Sequence, residues 1–521
     1  MHTVPTMVRI LVFSVTVVLY VLGDVAESAR ILGVFVTPSF SHQIVFRALT
    51  MELSKRGHEL VIFTSDPLND PSLNNYKEID MHYTYDLKMD HAIAMDETSF
   101  IQEWYKVSEP ITEAVLIHPE MQRIISPNST ERFDLIIAEY LSYDAIYALR
   151  IRLDAPIIGV CTTSLSHSLS YQIGNTHALP YSPSLMDDYT DDMNFWLRLI
   201  NAYRMAKHAI LRQYDLLPRQ ERLLRKYFGP HVPSVEDLST EMSLVLTSSH
   251  PLLEYPKPSL PTIIHIEGCH LKLKLQGLDE DLKEFLDDAK EGFVYFSLGT
   301  NVLSDHLAPE KIRTLISVFA AMPYRVVWKW EQNSLDGKPD NVFISKWFSQ
   351  QDVLAHPNIK LFVYQGGRQS TEEAIHYGVP LVGIPVFGDQ KFNVRKLESI
   401  RLGKRVNFEP LSGDELRGAI VEVIEDKGYK ERMLKFRQLF NDRKEDPMDR
   451  AMWWIEYVIR HNGAPHLRPR LRHWPWHQRE LLDVLAFVLL VASAALYLSY
   501  KFIRLVIRKC AQTLPPKVKT N

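Results

Sequence analysis

The chain has 521 residues, of which 46% are hydrophobic and 23% charged, and 59 Lys and Arg against 63 Asp and Glu give a formal net charge of −4. A nucleic-acid binding protein needs a basic footprint, which this near-neutral chain lacks. The apolar content excludes a disordered chain, and three cysteines exclude a disulfide-held scaffold. The length accommodates about two to four domains.

The first predicted element is a secretory signal peptide at residues 1–29. An apolar run at 10–22 follows Arg9 and precedes the small residues Ala26 and Ala29, which is the pattern of a cleaved leader. We therefore predict a mature chain that begins at about residue 30. A retained N-terminal anchor is the alternative interpretation of the same run.

Two stretches then alternate apolar strand patterns with helical patterns, which predicts an α/β fold with parallel sheets. In the first stretch, strands are expected at 30–37, 59–64, 135–138 and 157–160, with a helix at 42–55. In the second, strands are expected at 293–297, 325–330, 342–344, 361–363 and 381–384, with helices at 309–321 and 370–377. The intervening stretches 75–126 and 164–233 look like helical or irregular insertions that roof a ligand pocket.

A Pro-rich join at 251–261 separates the two stretches and reads as a linker. We therefore predict an N-terminal domain at 30–250 and a C-terminal domain with its stem at 262–480. Two such halves facing a cleft are expected to bind ligands at the carboxyl ends of their strands.

A second apolar run predicts a transmembrane helix at 481–500, followed by a basic tail at 501–521. A buried core helix is the alternative. With a cleaved leader, this arrangement predicts a single-pass type I protein whose body is lumenal. Lys517 and Lys519 resemble a dilysine retrieval signal, which points to the endoplasmic reticulum membrane. The sequon at Asn128 predicts glycosylation of a lumenal body.

Cysteine and metal patterns are uninformative in this chain. Cys161 and Cys269 could pair or stay free, and no CxxC, HExxH or Walker-type motif is present. A homo-oligomer is compatible with the sequence, which shows no interface signal.

The most specific stretch, residues 347–390, reads WFSQQDVLAHPNIKLFVYQGGRQSTEEAIHYGVPLVGIPVFGDQ. It resembles the nucleotide-sugar signature of the UDP-glycosyltransferase family, and TPSFSHQIVFRAL near the N-terminus and YFSLGTNV at 295–302 extend the likeness over nearly the whole chain. The resemblance is greatest to the animal, arthropod-like, membrane-anchored members. It implies a GT-B fold of two Rossmann-like domains plus the C-terminal transmembrane helix, and hexosyl transfer from a UDP-sugar co-substrate without cofactor or metal.

The residue types of the motif suit the parts of a UDP-sugar. Trp347 offers a face on which uracil can stack, Gln350 has both an amide donor and an acceptor for the base, and the Glu373 carboxylate can accept both ribose hydroxyls. Backbone and hydroxyl groups next to a helix N-terminus suit the diphosphate. These expected phosphate-side positions are Gly366, Gly367, Ser370, Ser297, Gly299 and Thr300, and the pair Asp389 and Gln390 is expected to bind the sugar hydroxyls. The alternatives are a core role for Trp347, a solvated helix position for Glu373 and a simple turn at Asp389–Gln390.

Two positions depart from the family pattern. Ser349 stands where the family usually has Pro, which costs some loop rigidity. Gln365 stands where the family has a His that donates a hydrogen bond to the diphosphate. A Gln amide also donates but is never cationic, and losing a charge-assisted bond costs about 1–3 kcal/mol.

The N-terminal SHQ segment places His42 after the first strand, where it matches the family's catalytic base. A capping or packing role is the alternative for a histidine at such a place. The family couples this base to an acid that orients it. Glu139 stands at the equivalent strand end, and Asp144 is the alternative partner.

Together these features predict an inverting glycosyltransferase that moves a hexose, with glucose favoured over glucuronate, to a hydroxyl of a small lipophilic acceptor. The competing hypothesis is a weakly active or inactive protein on the same fold that binds a UDP-sugar or a small molecule, and Gln365 is its main support.

We expect the substitution Gln365→His to raise turnover, because it restores the charge-assisted bond to the diphosphate. Steady-state kinetics with the donor near saturation would measure the change. An unchanged rate would show that position 365 matters less than the resemblance implies.

Overall fold

The computed structural model describes residues 28–89, 95–272 and 275–513. Most of the predicted signal peptide, and Lys517 and Lys519 of the predicted retrieval signal, lie outside the described residues. Within the described part, residues up to Arg468 form one compact unit, and those from Pro469 onward form another.

The first half of the compact unit is a seven-stranded parallel sheet in the order β3-β2-β1-β4-β5-β6-β7. Its strands are β1 (Arg30–Phe35), β2 (Glu59–Thr64), β3 (Tyr76–Asp80), β4 (Leu135–Glu139), β5 (Ile157–Cys161), β6 (Leu244–Thr247) and β7 (Ile263–His265). Its helices are α1 (Phe40–Lys55), α2 (Glu97–Ile117), α3 (Pro119–Ile125), α4 (Leu149–Leu153), α5 (His167–Gln172), α6 (Phe195–Leu211), α7 (Leu217–Phe228) and α8 (Val235–Ser239).

The second half is a six-stranded parallel sheet in the order β10-β9-β8-β11-β12-β13. Its strands are β8 (Phe293–Ser297), β9 (Arg325–Lys329), β10 (Val342–Ser345), β11 (Ile359–Tyr364), β12 (Leu381–Gly383) and β13 (Gly403–Arg405). The helices of this part of the chain are α9 (Glu280–Asp287), α10 (Pro309–Ala320), α11 (Gln350–Leu354), α12 (Arg368–Tyr377), α13 (Gln390–Ser399), α14 (Gly413–Glu425), α15 (Lys427–Asn441) and α16 (Pro447–Arg460). The predicted pair of Rossmann-like domains is confirmed.

The boundary between the two halves differs from the expectation that the second domain begins at residue 262. The strand β7 follows the Pro-rich join and pairs with β6, so it still belongs to the first sheet. The helix α16 also returns to the first half, where Met452 and Ile455 share a core with Val45 and Leu49 of α1. The sequence of the three-residue strand β7 does not indicate which sheet it joins, and that of the amphipathic helix α16 does not indicate which half it packs against. Only tertiary packing decides both.

Four observed strands, β3, β6, β7 and β13, were not predicted, and two of them are polar strands at sheet edges. β3 reads YKEID and β13 reads GKR, so both are polar, and each pairs on one side only. An edge strand tolerates polar side chains because one of its sides faces solvent. The predicted insertion at 75–126 therefore begins with a strand before it becomes helical.

The unit from Pro469 onward contains α17 (Trp476–Arg479) and α18 (Leu482–Thr513). The stretch Leu482–Gln512 is long and apolar enough to cross a membrane, and its most apolar window is not buried. The predicted membrane helix at 481–500 therefore lies almost entirely in a longer helix that continues into the predicted tail. In the compact unit, Cys161 and Cys269 are both buried and free.

Candidate active site

The loops at the carboxyl edge of the second sheet carry the predicted donor-binding residues. Parallel strands end at the same edge of a sheet, so residues that follow different strands are brought together there. Ser297 ends β8, Trp347 follows β10, Gln365 follows β11 and Asp389 follows β12. The remaining predicted positions are on the same loops or within the helices that follow, namely Gly299, Thr300, Gln350, Gly366, Gly367, Ser370, Glu373 and Gln390.

The paired glycines lie at the start of α12 and differ in what they require. Gly366 has φ +95°, and a Cβ there would be 2.6 Å from Val394 Cγ2, so no other residue fits. Gly367 is the N-cap residue of the ten-residue helix α12, and the atom nearest to a Cβ at this position would be Gln365 Nε2 at 3.9 Å. The first turn of the helix lines the cavity described below, and a helix N-terminus suits an anion.

The predicted base and ribose residues form one hydrogen-bonded network. The Gln350 amide donates to Glu373 Oε2 at 2.6 Å and to Ser370 Oγ at 2.9 Å, and the Tyr295 hydroxyl donates to Gln350 Oε1 at 3.2 Å. The amide of Gln351 donates to the other Glu373 oxygen at 3.1 Å. Glu373 is buried, so the alternative of a solvated helix position is wrong.

Glu373 and its neighbour Glu372 keep their protons to a higher pH than ordinary carboxyl groups. Burial raises the pKa of Glu373 to about 7 and that of Glu372 to about 8. The ring nitrogens of His270 lie 3.8 Å from Glu372 Oε2 and 3.7 Å from Glu373 Oε1, and burial lowers the pKa of His270 to about 4. A ligand hydroxyl that donates to ionised Glu373 would therefore bind more tightly as the pH rises.

Trp347 is 53% exposed, which rules out the alternative of a core residue. Its ring makes an edge-to-face contact with Phe40 at the start of α1, with 4.8 Å between centroids. The aromatic face that the base would stack on is thus positioned by a residue of the other half of the molecule. Ser349 precedes α11 with φ −69°, a value that Pro also adopts, so this departure from the family leaves the loop conformation accessible.

Gln365 directs its amide nitrogen toward the two phosphate-side loops. Its Oε1 accepts a hydrogen bond from Gln390 Nε2 at 3.2 Å, which orients the amide. Its Nε2 lies close to both Gly299 and Gly367. A Cβ added at Gly299 would be 2.4 Å from this nitrogen, and one added at Gly367 would be 3.9 Å from it. The donor nitrogen therefore lies between the loop after β8 and the N-terminus of α12.

The predicted sugar-binding pair is only partly available to a ligand. Gln390 Oε1 accepts from the backbone N–H groups of Val386 at 2.8 Å and Phe387 at 3.0 Å, so its carbonyl oxygen is already used. Asp389 Oδ2 accepts from Asn393 Nδ2 at 3.0 Å. Both residues open α13 and line the cavity described below, so they do more than form a turn.

The predicted base lies on the facing edge of the first sheet. His42 Nδ1 is 2.9 Å from Glu139 Oε1 and also 2.9 Å from Thr162 Oγ1. The other Glu139 oxygen accepts from the Thr37 backbone N–H at 3.1 Å, and the carboxyl group is 2% exposed. A proton on Nδ1 has two acceptors, so the lone pair is left on Nε2, which has no hydrogen-bond partner among the described residues.

Asp144, the alternative partner, is not near the base. Its Oδ1 accepts from Arg212 Nη2 at 2.7 Å, and both side chains are buried. Burial raises the pKa of Asp144, and the Arg212 charge opposes that effect. Of the two candidate acids, Glu139 is the one that contacts His42.

A cavity of about 910 Å³ opens in front of His42. Its wall from the first half combines large apolar side chains, such as Trp104, Leu141 and Met205, with serines and histidines. The second half contributes Thr300, Gln365, Gly367, Asp389 and Gln390. His42 and five of the predicted phosphate and sugar positions therefore line one cavity. Among the described residues, the predicted donor-binding positions that do not line it are Ser297, Gly299, Trp347, Gln350, Gly366, Ser370 and Glu373.

The residues from 33 to 515 match the family model described as UDP-glucoronosyl and UDP-glucosyl transferase. The chain belongs to this family. Its relatives include UDP-glycosyltransferase UGT5 of Dactylopius coccus, 34% identical over 93% of both chains, and UDP-glucosyltransferase 2 of the same insect, 32% identical over 91% of this chain and 92% of the other. The crystal structure of the kitacinnamycin glycotransferase has a TM-score of 0.57 at 19% identity and covers 82% of this chain and 99% of its own, which supports the GT-B fold.

Three contacts that join the halves of this UDP-glycosyltransferase were not predicted from the sequence. Gln369 Nε2 donates to the Thr162 carbonyl at 2.6 Å, Arg368 Nη2 to Ser164 Oγ at 2.6 Å, and Asn301 Nδ2 to Ser39 Oγ at 2.9 Å. Each joins a donor-side loop to a loop beside His42. The only indication in the sequence was that Arg368, Gln369 and Asn301 are neighbours of motif residues. Their partners lie more than 200 positions away in the chain, and the sequence does not show which distant residues come into contact.

We expect Glu373→Gln to weaken UDP binding about 10- to 100-fold, because an ionised acceptor of two ribose hydroxyls is lost. In the unsubstituted enzyme, UDP affinity should rise between pH 6 and 8, since binding favours the ionised form of a group whose pKa is about 7. Isothermal titration calorimetry of both proteins at each pH measures this. The UDP affinity of the variant should change with pH only through the titration of the phosphate of UDP itself. Parallel pH profiles of affinity for the two proteins would contradict the proposed role of Glu373.

We expect Thr162→Val to lower kcat about 2- to 10-fold, because one of the two acceptors that hold His42 Nδ1–H is removed. The backbone carbonyl that Gln369 contacts stays in place, so UDP affinity should not change. Thr162→Ser keeps the hydroxyl and should restore the rate. Equal rates for the valine and serine variants would mean that the hydroxyl does not position the base.

Proposed function

We propose that this enzyme transfers glucose from UDP-glucose to a hydroxyl of a small lipophilic acceptor, with inversion at the anomeric carbon. The observation that carries the proposal is His42, which is held through Nδ1 and lines the cavity that the phosphate and sugar positions share. The name of the relative UDP-glucosyltransferase 2 favours glucose. The apolar wall of the cavity favours a lipophilic acceptor.

In the proposed reaction the acceptor oxygen attacks C1 of the sugar while its proton moves to His42 Nε2. The bond between C1 and the β-phosphate oxygen breaks, and its electron pair leaves with UDP. A single displacement of this kind inverts the anomeric centre. Glu139 accepts from Nδ1–H throughout and stabilises the imidazolium that forms.

The leaving diphosphate gains charge as the bond breaks, and the groups at the start of α12 are suited to receive it. The open N-terminus of that helix, the amide of Gln365 and the hydroxyl of Ser370 are the proposed donors. Trp347, Gln350 and Glu373 are the proposed binding residues for uridine. Ser297, Gly299 and Thr300 complete the phosphate side, and Asp389 and Gln390 the sugar side.

We further propose that the chain is anchored in the endoplasmic reticulum membrane by Leu482–Gln512, with its body in the lumen. The support is the length and apolarity of that helix. Asn128 is exposed in the loop after α3, where a glycan can be attached.

The test is a transfer assay on microsomes that express the full chain, with labelled UDP-glucose or UDP-glucuronate and a panel of phenols. We expect the unsubstituted enzyme to transfer glucose. The variant His42→Ala should lose about 10²- to 10⁴-fold in transfer rate, whereas its affinity for UDP should stay within about threefold of that of the unsubstituted enzyme. The exposed His231 provides a matched control, because it lies in the loop after α7 and does not line the cavity.

Normal transfer by His42→Ala would contradict the mechanism. A chain that gives no transfer with either donor, although UDP raises its thermal midpoint, would favour the competing hypothesis of a binding protein. Faster transfer from UDP-glucuronate than from UDP-glucose would overturn the proposed donor and leave the mechanism standing.

A further inference from the structure

A short loop of the first half contacts the second half beside the cavity. The loop comprises residues 182–189, a few positions before the start of α6. Two adjacent acids, Asp187 and Asp188, lie near its end, so we call it the acidic loop. Three of its residues line the cavity: Ser184, Leu185 and Met186. The acidic loop therefore forms part of the wall against which a proposed acceptor would pack.

The acidic loop is held to its own half by α6. The buried side chain of Asn201 on that helix donates to the Ser182 carbonyl at 2.9 Å. Asp187 is fully buried, pairs with Arg204 of the same helix and accepts from the Tyr189 hydroxyl at 2.5 Å. The first of the two acids thus fixes the loop within the first half.

The second acid, Asp188, contacts two arginines of the second half. Its Oδ1 accepts from Arg395 Nε at 3.0 Å, and its Oδ2 pairs with Arg405 Nη1. Arg395 lies on α13, and Arg405 ends β13. Because each carboxylate oxygen has its own guanidinium partner, the contact restrains the direction as well as the distance between the loop and these two elements.

The charges at this contact balance only when Asp188 is ionised and in place. Arg395 Nη1 also pairs with Glu398 at 2.7 Å, so two guanidinium groups meet two carboxylates. About a third of the Asp188 and Arg395 side chains is exposed, and solvent screens such a pair, so it contributes little to the free energy of unfolding. We therefore expect it to act on the relative position of the elements that it joins.

We propose that Asp188 is a positioning residue for the transfer step, which holds the acceptor wall formed by the acidic loop against α13 and so aligns the acceptor hydroxyl with the sugar. The proposed sugar-binding pair, Asp389 and Gln390, opens that helix. Transfer requires the reacting atoms to lie about 3–3.5 Å apart, so a small displacement between the acceptor wall and α13 slows it. The inference rests on the proposed function.

Loss of the charge is tested with the full chain in the transfer assay, with UDP-glucose and a phenol. We expect Asp188→Asn to lower kcat/KM for the phenol about 3- to 10-fold, and Asp188→Arg about 10- to 100-fold because three cationic groups then repel one another. UDP affinity should stay within about twofold, since the proposed uridine and phosphate positions are on other loops. The thermal midpoint should change by less than about 2 °C.

The matched control is Asp192→Asn, which removes an exposed acid a few residues further along the same connection to α6. It should leave kcat/KM, UDP affinity and the thermal midpoint unchanged. A fall in UDP affinity or in the thermal midpoint of Asp188→Asn that parallels its fall in kcat/KM would indicate a purely structural role and would overturn the proposal.

A reciprocal exchange tests the pair itself. Arg405→Asp alone should lose about as much kcat/KM as Asp188→Arg, because two carboxylates then face each other. The double variant Asp188→Arg/Arg405→Asp restores opposite charges and should recover to within about fivefold of the unsubstituted enzyme. Losses that simply multiply in the double variant would show that the two residues act independently and would overturn the proposal.

The outcomes separate this inference from the proposed function. A chain that, without substitution, transfers no sugar from either donor would contradict the proposed function. A chain that transfers glucose at a rate which neither Asp188→Asn nor Asp188→Arg changes would contradict only the positioning role of Asp188.

Discussion

The contact between the first turn of α12 and the loop after β5 is the constraint on which the site depends. In that turn Gly367 leaves the helix N-terminus open, while Arg368 and Gln369 reach across the cleft to Ser164 and Thr162. The proposed phosphate position and the proposed base are therefore joined through the same few residues. Because Arg368 is 2% exposed, its charge must be balanced inside the protein. Burial raises the pKa of Glu254, but Lys257 and Arg368 outweigh it and hold that pKa at about 2, so Glu254 is available as the counter-charge.

Each edge of the cleft has a buried acid, and the two acids have different partners. On the base side, Glu139 accepts hydrogen bonds from His42 and from the Thr37 backbone, so each of its oxygens has a partner. On the uridine side, burial outweighs the amide donors, and Glu373 is half neutral near pH 7. The difference suits the two proposed tasks. Glu139 is proposed to orient His42, whereas Glu373 is proposed to accept ligand hydroxyls once it is ionised.

Most strands of both sheets could be predicted from the sequence, because buried parallel strands are continuous apolar runs, as in β1 and β11. The polar edge strands β3 and β13 lack such a run and were not predicted. The short strands β6 and β7 were not predicted either. Among the site residues, Gly366 and His42 were identified through the family motif. The network that joins Gln350 to Ser370 and Glu373, and the one that joins Gln365 to Gln390, were not, because hydrogen bonding depends on side-chain directions that spacing does not specify.

By itself the sequence determined the family, the pair of α/β halves, the apolar C-terminal helix and the residue types that could bind a UDP-sugar. These follow from local patterns, since each is written within a few dozen neighbouring residues. Only the tertiary structure decided that Glu139 and not Asp144 contacts His42, and that Thr162 joins them. It also returned β7 and α16 to the first half of the molecule. All of these depend on contacts between distant parts of the chain, where packing and burial choose among partners that the sequence leaves equivalent.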